Sequence, residues 1–324
     1  MKKIIRTLGF LMIAALLLTL AAAGLSRAVY GRSLRATLYE MKLRRQHAHP
    51  RTAEAEEARL DALRGEAEPV STPPEGVATA EWGGLRAFAL NPEGGAVTVL
   101  YLHGGAYVNG FNAHQWRFLK RLQAATGCEI VAPDYHLIPF GDCERAYADL
   151  TAFYIDWHSA HPDRRLLLMG DSAGGGLALG LAQVLAARGE ALPERLILLS
   201  PWVDVSMDNP EVEGLVSVEP LLHLDLMRVH GRRWAGALDV RDPRVSPLYG
   251  DMRGLPPVTL YCGTRELLYP DIALCRDRLE AAGVDVALRV GRGLNHDYPL
   301  MPIPEAEAAF REIAAMLRQR YNTP

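Results

Sequence analysis

Gly170-Asp171-Ser172-Ala173-Gly174 joins an apolar run of strand length, residues 165–169, to a glycine- and leucine-rich segment that begins a buried helix. The serine has a glycine two positions before it and another two positions after it. This spacing is typical of a nucleophile elbow, a tight turn that presents a serine hydroxyl at the end of a strand. Small flanking residues let strand and helix pass close together, and the positive N-terminus of the helix is directed at the serine. We therefore predict that Ser172 is a nucleophile.

Apolar runs of strand length alternate with helical segments on both sides of this turn. The sequence predicts strands at residues 96–102, 129–132, 165–169, 195–200, 258–262 and 284–290, and helices at 113–126, 143–160, 174–189, 270–282 and 304–319. Residues 80–90 resemble an edge hairpin. Continuous apolar strands separated by helices indicate a mostly parallel sheet that is covered on both faces. The predicted fold class is therefore α/β.

Two segments depart from this alternation. Residues 205–245 are rich in Pro, Asp and Arg and are too long for a simple crossover, so they predict an inserted helical cap. Residues 31–78 are polar, helix-prone and interrupted by prolines, which indicates a second cap or linker segment. The catalytic domain is then expected to span residues 79–324, after a distinct segment at residues 1–30.

The first 30 residues contain a hydrophobic segment. Residues 8–25 carry no charged side chain and follow a basic start. Eighteen such residues are just enough to cross a bilayer, so we expect a single-pass N-terminal membrane anchor. Ala21-Ala22-Ala23 also offers a cleavage signal, and the alternative is a secreted or periplasmic protein after signal cleavage. Basic residues flank the segment on both sides, so its orientation stays open.

Composition restricts the other possible partners. The chain has 324 residues, of which 49% are hydrophobic and 23% charged, and a net charge of −3, so nothing indicates a nucleic-acid partner. The four cysteines lie far apart and form no metal-binding pair, which predicts free, buried thiols. We expect no metal and no organic cofactor, and no oligomeric state follows from the sequence.

A serine nucleophile requires a base, an acid that orients the base, and donors for the negative charge on the attacked carbonyl. The first long strand continues directly into His103-Gly104-Gly105-Ala106. Consecutive glycines can turn their N–H groups toward a substrate without a Cβ in the way. We predict that Gly104, Gly105 and Ala173 form an oxyanion hole and that His103 supports the loop.

The base and the acid are expected on loops that follow the last two strands. The last strand leads into residues 291–299, whose one histidine is His296. Two carboxylates compete after the preceding strand, because Glu266 follows the strand end by four residues and Asp271 by nine. We predict that Glu266 orients His296, with Asp271 as the alternative acid.

Seven short motifs between residues 80 and 320 together resemble a known family. They are His103-Gly104-Gly105-Ala106, Pro133-Asp134-Tyr135-His136-Leu137, Gly170-Asp171-Ser172-Ala173-Gly174-Gly175, Ser200-Pro201-Trp202-Val203-Asp204, Ser246-Pro247-Leu248-Tyr249, Gly254-Leu255-Pro256-Pro257 and Gly293-Leu294-Asn295-His296. In this order they resemble the hormone-sensitive-lipase-like branch of the α/β-hydrolases, a group of bacterial carboxylesterases. The resemblance implies an α/β-hydrolase fold with a mostly parallel central sheet, helices on both faces and a helical cap.

Two positions depart from the family pattern. Ala106 stands where the family has a further glycine, and it need not adopt a positive φ if Gly104 and Gly105 are the donors. Glu266 stands where the family has the aspartate of a Gly-x-x-Asp-x-Leu pattern, and its longer side chain is expected to reach His296.

The resemblance also implies that the cap shapes the substrate pockets. Candidates to line a pocket are Leu221, Leu222, Leu224, Leu226, Met227 and Trp234. Tyr107 and Tyr135 stand beside the oxyanion loop and the next strand end, where packing and substrate contact are equally expected.

The function implied by the resemblance is that of a serine carboxylesterase. Its expected substrates are small-molecule esters with short to medium acyl chains, hydrolysed through an acyl-enzyme. The same residues could serve an amide or formamide hydrolase, or a lipase that acts at a membrane surface. A catalytically inactive, membrane-anchored binding protein is the alternative from another class.

Overall fold

The computed structural model describes residues 2–92 and 94–318, and its centre is an eight-stranded sheet. The strands are β1 Ala78–Trp82, β2 Leu85–Leu90, β3 Val97–Leu102, β4 Glu129–Pro133, β5 Arg165–Asp171, β6 Arg195–Leu199, β7 Val258–Gly263 and β8 Val286–Gly291. Their order in space is β1-β2-β4-β3-β5-β6-β7-β8. The pairs β1–β2 and β2–β4 are antiparallel, and the other neighbouring pairs are parallel. The predicted edge hairpin and mostly parallel sheet are confirmed.

The helices of the described residues lie largely where the sequence predicted them. They are α1 Lys2–Tyr30, α2 Leu34–Gln46, α3 Ala53–Leu63, α4 Ala113–Thr126, α5 Cys143–Ala160, α6 Ser172–Arg188, α7 Leu224–Ala235, α8 Tyr269–Ala281 and α9 Ala306–Arg318. The bounds of α4 and α5 match the prediction, because Asn112 and Asp142 cap the first turns and Gly127 ends α4 in a left-handed conformation. By contrast, α6 begins two residues early, at Ser172 itself.

The central strands are buried because helices cover both faces of the sheet. Along β3, Val99 and Tyr101 point into the cluster that α4 and α9 cover, whereas Leu100 and Leu102 point into the cluster that α5, α6 and α8 cover. Both faces of β3 therefore require apolar side chains, so the sequence of this strand is one nearly continuous apolar run. The four cysteines are buried and free, as predicted.

The two segments outside the strand–helix alternation contact each other. α3 precedes the sheet and α7 follows β6, and the two helices pack together. Arg233 on α7 bonds to Glu57 and Asp61 on α3, at 2.5 and 2.7 Å. Glu56 on α3 lies 2.9 Å from the ring of His230 on α7. Polar pairs thus hold the insertion to the N-terminal segment.

α1 is largely separate from this body. Of the described residues, Met12–Tyr30 form the one helical stretch long and apolar enough to span a membrane. The large apolar side chains of α1 whose burial the structure describes are exposed, with Phe10 at 72% and Met12 at 73%. Ser26 differs, because its side chain is buried and bonds to Thr37 on α2 at 2.6 Å. The helix therefore contacts the rest of the protein near its C-terminal end.

Candidate active site

Ser172 occupies the turn between β5 and α6. Its φ is +50°, in the left-handed region that is strained for a residue with a side chain. A Cβ at Gly170 would lie 2.3 Å from the carbonyl oxygen of Gly174, and a Cβ at Gly174 would lie 2.1 Å from that of Leu102. Both flanking positions therefore require glycine. The turn fixes Ser172 at the C-terminal end of β5.

The structure brings His296 and Glu266 together with this serine. His296 Nε2 lies 2.9 Å from Ser172 Oγ, and His296 Nδ1 lies 2.6 Å from Glu266 Oε2. The other oxygen of Glu266 accepts from the N–H of Gly263 at 2.7 Å and from the hydroxyl of Ser200 at 3.1 Å. Glu266 is fully buried and each of its oxygens has a partner. With Nδ1–H donating to Glu266, Nε2 is left to accept the serine proton.

Asp271, the alternative acid, lies elsewhere. It belongs to the first turn of α8 and accepts from the side chain of Asn209 at 2.8 Å. Burial raises the pKa of Asp271 to about 6. The carboxylate three residues after β7, and not the one eight residues after it, therefore lies beside the imidazole.

The structure corrects the prediction for Gly104. Its N–H donates to Asp171 Oδ1 at 2.9 Å, although the loop lies against Ser172 as expected. The same carboxylate accepts from Gln115 Nε2 at 2.9 Å and from the hydroxyl of Tyr101. An N–H committed to a buried carboxylate cannot also bind a substrate oxyanion. Asp171 instead ties the oxyanion loop to the elbow.

Gly105 and Ala173, the other two predicted donors, differ from Gly104, and Ala106 resembles them. Among the described residues, no acceptor bonds to the N–H groups of Gly105, Ala106 or Ala173. The N–H groups of Val108 and Asn109 both donate to the carbonyl of Gly105, at 3.1 and 2.9 Å, and so close a tight turn through Ala106. Ala106 has a φ of +54°, so it adopts a positive φ that the sequence argument did not require.

His103 packs beneath the loop and does not face the nucleophile. Its ring stacks on Tyr135 at 4.4 Å, and its Nδ1 lies 2.8 Å from the carbonyl oxygen of Gly104. Tyr135 in turn donates its hydroxyl to the carbonyl of His103 at 2.6 Å. Tyr107 stacks on Trp234 at 3.7 Å, and both are fully buried. Both tyrosines and Trp234 therefore have packing roles.

A second carboxylate lies beside the base. Asp297 Oδ2 is 3.3 Å from His296 Nε2. Burial alone would lower the pKa of His296, but the carboxylates of Asp297 and Glu266 raise it, and the net change is upward. Burial raises the pKa of Asp297 well above its ordinary value, against the opposing effect of His296. The carboxylate of Asp297 therefore favours the protonated imidazole, and His296 must lose that proton before Nε2 can act as the base.

Glu219 connects the cap to the loop of the acid. Its carboxylate accepts from the N–H groups of Leu221, Leu222 and Leu267, at 2.8, 3.2 and 3.1 Å. Leu267 directly follows Glu266, so this carboxylate holds the cap against the acid. Burial raises the pKa of Glu219 to about 7. Leu221 and Leu222 remain half-buried beside it.

Sequence reasoning missed three carboxylates of this region. Asp171 stands inside the elbow motif and Asp297 directly follows His296, so adjacency to predicted residues was an available signal for both. Glu219 lies in the cap, where no local pattern marks it. Within residues 2–92 and 94–318, no group of three or more His, Cys, Asp and Glu side chains could hold a metal ion.

The sheet is mostly parallel, and one of its strand–helix turns carries a serine that is hydrogen-bonded to a histidine. The acid lies between these two residues in chain order. Together these features define the class of α/β-hydrolases. A family profile described as the alpha/beta hydrolase fold matches residues 99–300. The sequence is 31% identical to the acetyl-hydrolase of Streptomyces hygroscopicus, over 68% of this chain and 75% of that protein. It is also 31% identical to the ethyl acetate hydrolase of Pseudomonas putida, over 71% of this chain and 75% of that protein.

A solved structure agrees with the sequence relatives. The crystal structure of an esterase from the bacterial hormone-sensitive lipase family superposes with a TM-score of 0.76 and 29% identity, over 89% of this chain and 98% of that one. The chain therefore belongs to the α/β-hydrolase family, in its bacterial hormone-sensitive-lipase-like branch.

Proposed function

We propose that this protein is a serine carboxylesterase whose catalytic triad is Ser172, His296 and Glu266. One observation carries the proposal: a continuous hydrogen-bonded chain runs from Ser172 Oγ through the imidazole to Glu266, at 2.9 and 2.6 Å. The same groups in the same roles activate serine nucleophiles on unrelated folds. Membership of an esterase branch supports the ester as the bond attacked.

In the first half-reaction, Ser172 Oγ attacks the ester carbonyl while His296 Nε2 takes the hydroxyl proton. Glu266 keeps the imidazole oriented and stabilises its positive charge. The N–H groups of Gly105, Ala106 and Ala173 are the proposed donors to the oxyanion. The C–O bond to the leaving alcohol then breaks, and His296 returns the proton to that alcohol.

The second half-reaction repeats these steps with water. His296 takes a proton from water, the resulting hydroxide attacks the acyl carbonyl, and the bond to Ser172 Oγ breaks as His296 returns the proton to the serine. Each proton taken is given back, so the cycle is complete with these groups alone.

The proposed substrates are small-molecule esters with short to medium acyl chains. The names of two relatives, an acetyl-hydrolase and an ethyl acetate hydrolase, support a short acyl group. Leu221 and Leu222, half-buried next to Glu219, are the proposed cap contacts for that group. A series of p-nitrophenyl esters tests this point. A kcat/KM that rises steadily up to long acyl chains would favour a surface lipase instead. Anilides with the same acyl groups test the amide alternative, which faster hydrolysis of the anilides would favour.

The nucleophile is tested by replacing Ser172 with alanine. The loss of kcat on p-nitrophenyl acetate is expected to be on the order of 10⁶, as when a triad serine is removed. Thermal unfolding checks that the variant is folded. Activity near that of the parent protein would contradict the triad.

The acid is tested by a matched pair of variants. Glu266→Gln is expected to lower kcat by about 10⁴, because the amide cannot hold the imidazole in the required tautomer. Asp271→Asn removes an equally buried carboxylate that does not contact His296, and it should leave kcat within a few fold. The reverse order of effects would reassign the acid.

We infer further that α1 is an uncleaved membrane anchor. Its exposed apolar side chains and its length support this inference. Sodium carbonate extraction of membranes from cells that express the protein is expected to leave the chain, with its N-terminus intact, in the pellet. A soluble chain that begins near residue 24 would indicate a cleaved signal.

A further inference from the structure

Arg32 is a buried cation outside the proposed triad that contacts the loop carrying the base. Its side chain is 2% exposed. Nη1 donates to the carbonyl oxygen of Gly293 at 2.7 Å and lies 3.5 Å from Oδ1 of Asn295. Both residues belong to the loop between β8 and His296. A charge this deeply buried requires bonded partners, and two of the partners of Arg32 lie within the three residues that precede His296.

Glu40 connects Arg32 to the loop that carries the acid. It is buried, pairs with Arg32, and accepts from Nε and Nη2 of Arg265 at 3.0 and 2.9 Å. Arg265 immediately precedes Glu266. The Arg32–Glu40–Arg265 network therefore contacts both loops that hold the imidazole.

Close backbone packing brings the segment after α1 against the same loop. A Cβ at Gly293, whose φ is +71°, would lie 1.9 Å from the carbonyl oxygen of Tyr30, the last residue of α1. Ser33, which caps α2, donates its N–H and its hydroxyl to Glu305 at 2.5 and 3.0 Å. Residues 30–33 are thus fixed on the catalytic domain at two further points, and they do not form a free linker.

We propose that Arg32 is a positioning residue for His296. It holds the main chain at Gly293 and, through Glu40 and Arg265, fixes that loop relative to the acid. The proposal rests on the proposed triad. The loop contains glycine at 291 and 293, and Arg32 adds a buried side-chain support to its bonds with Thr264 and Arg265, at 2.9 and 3.0 Å. A displacement of about 1 Å at such a site lowers the rate about 100-fold.

The test uses the full chain in detergent micelles, with Arg32→Met and Arg32→Lys. The matched control is Arg44→Met. Arg44 also pairs with Glu40, at 2.9 Å, but its other bonds reach the cap at Ser217 and Val218 and not the catalytic loops. For each variant, kcat and KM for p-nitrophenyl acetate are measured per active site, counted by titration with paraoxon, together with the rate constant of phosphorylation.

Arg32→Met is expected to lower kcat and the phosphorylation rate constant by about 10- to 100-fold, with KM within about twofold. Arg32→Lys is expected to lose less than Arg32→Met, because the ammonium keeps a positive charge and N–H donors. It should stay below the parental kcat, because it cannot reproduce the planar fork of bonds. Arg44→Met should match the parent protein. This separation of kcat from KM is not expected from a residue that only stabilises the fold.

The proposal is overturned if folded Arg32→Met has the same kcat per active site as Arg44→Met. This includes the case in which its total activity falls only because paraoxon titrates fewer sites. If Arg32→Met does not fold, Arg32→Lys decides: a lowered kcat with an unchanged KM supports the proposal, and parental kcat contradicts it. Activity in Ser172→Ala would contradict the proposed triad itself, whatever the Arg32 variants show.

Discussion

At the scale of single residues, the site depends on non-glycine residues held in the left-handed region. Ser172, Ala106 and Asp297 have φ values of +50°, +54° and +54°. Such a conformation costs about 1–2 kcal/mol for most residues with a side chain, and less for glycine or aspartate. At Ser172 the cost accompanies the turn that places the nucleophile at the end of β5. At Ala106 the family usually has glycine, so the methyl group adds strain, which its packing against the core offsets only in part.

We predict that Ala106→Gly stabilises the protein. Relief of the left-handed strain outweighs the extra freedom of glycine in the unfolded chain, for a net gain of about 0.5–1 kcal/mol. For a protein of this size, Tm should rise by about 1–3 °C in a thermal melt. The control is Ala152→Gly at an exposed position inside α5, which should lower the stability by about 1 kcal/mol. Equal losses in both variants would contradict the strain at Ala106.

We predict that Asp297→Asn shifts the acidic limb of the esterase profile to lower pH. The imidazole accepts a proton only when it is neutral, so activity falls as the pH drops through the pKa of His296. Asp297 is the strongest of the groups that raise that pKa, and removing its charge lowers the pKa of His296. The measurement is kcat/KM against pH, with exposed Asp225→Asn as the control. An acidic limb at the same pH in all three proteins would show that Asp297 does not act on the base.

At the scale of elements, sequence patterns predict the ends of helices and the positions of strands, because residues close in the chain determine both. The bounds of α4 follow from Asn112 and Gly127, and the strands follow from side chains that both layers bury. The contact between α3 and α7 could not be predicted, because it depends on polar pairs between residues far apart in the chain. Glu56 and His230, for example, are 174 positions apart.

We predict that Glu56→Gln weakens the protein at neutral pH and not in strong acid. Its hydrogen bonds with Arg59, and then those with His230, lower the pKa of Glu56 from 4.5 to about 2. The stabilisation from a lowered carboxyl pKa is complete above the unfolded value and disappears as the pH falls through the folded value. The gap in Tm between the parent protein and the variant should therefore close between about pH 4.5 and pH 2. The control Asp225→Asn, at an exposed position, should have the Tm of the parent protein across this pH range. A Tm difference for Glu56→Gln that is constant with pH would contradict the pairing of Glu56 with Arg59 and His230.

At the scale of the whole molecule, the site is completed by groups from distant parts of the chain. The positions of Ser172, His296 and Glu266 were predictable because each follows a recognisable strand. The direction of the Gly104 N–H was not, because it depends on the side chain of Asp171, 67 residues later. The contact of Arg32 with Gly293 spans 261 positions and has no local pattern at either end.

We predict that two truncations of the N-terminus behave differently. Removal of residues 1–23 deletes most of the exposed apolar helix but keeps Ser26 and Arg32, so the product should leave the membrane fraction with kcat and KM within about twofold of the full chain. Removal of residues 1–32 also deletes Arg32, and kcat should fall as it does in Arg32→Met. The test is the kcat of each purified, folded truncation, compared with that of the full chain. Equal activity in both truncations, or loss already in the first, would contradict the role given to residues 30–33.

The most direct test of the central claim is peptide mapping by mass spectrometry after treatment of the folded protein with paraoxon. The proposed mechanism predicts one diethylphosphoryl group per chain, attached to Ser172, with loss of esterase activity in proportion to the labelling. Glu266→Gln should be labelled at the same serine but far more slowly, since its imidazole is no longer held in place. An adduct on another residue, or full inhibition with Ser172 unmodified, would contradict the assignment of Ser172 as the nucleophile.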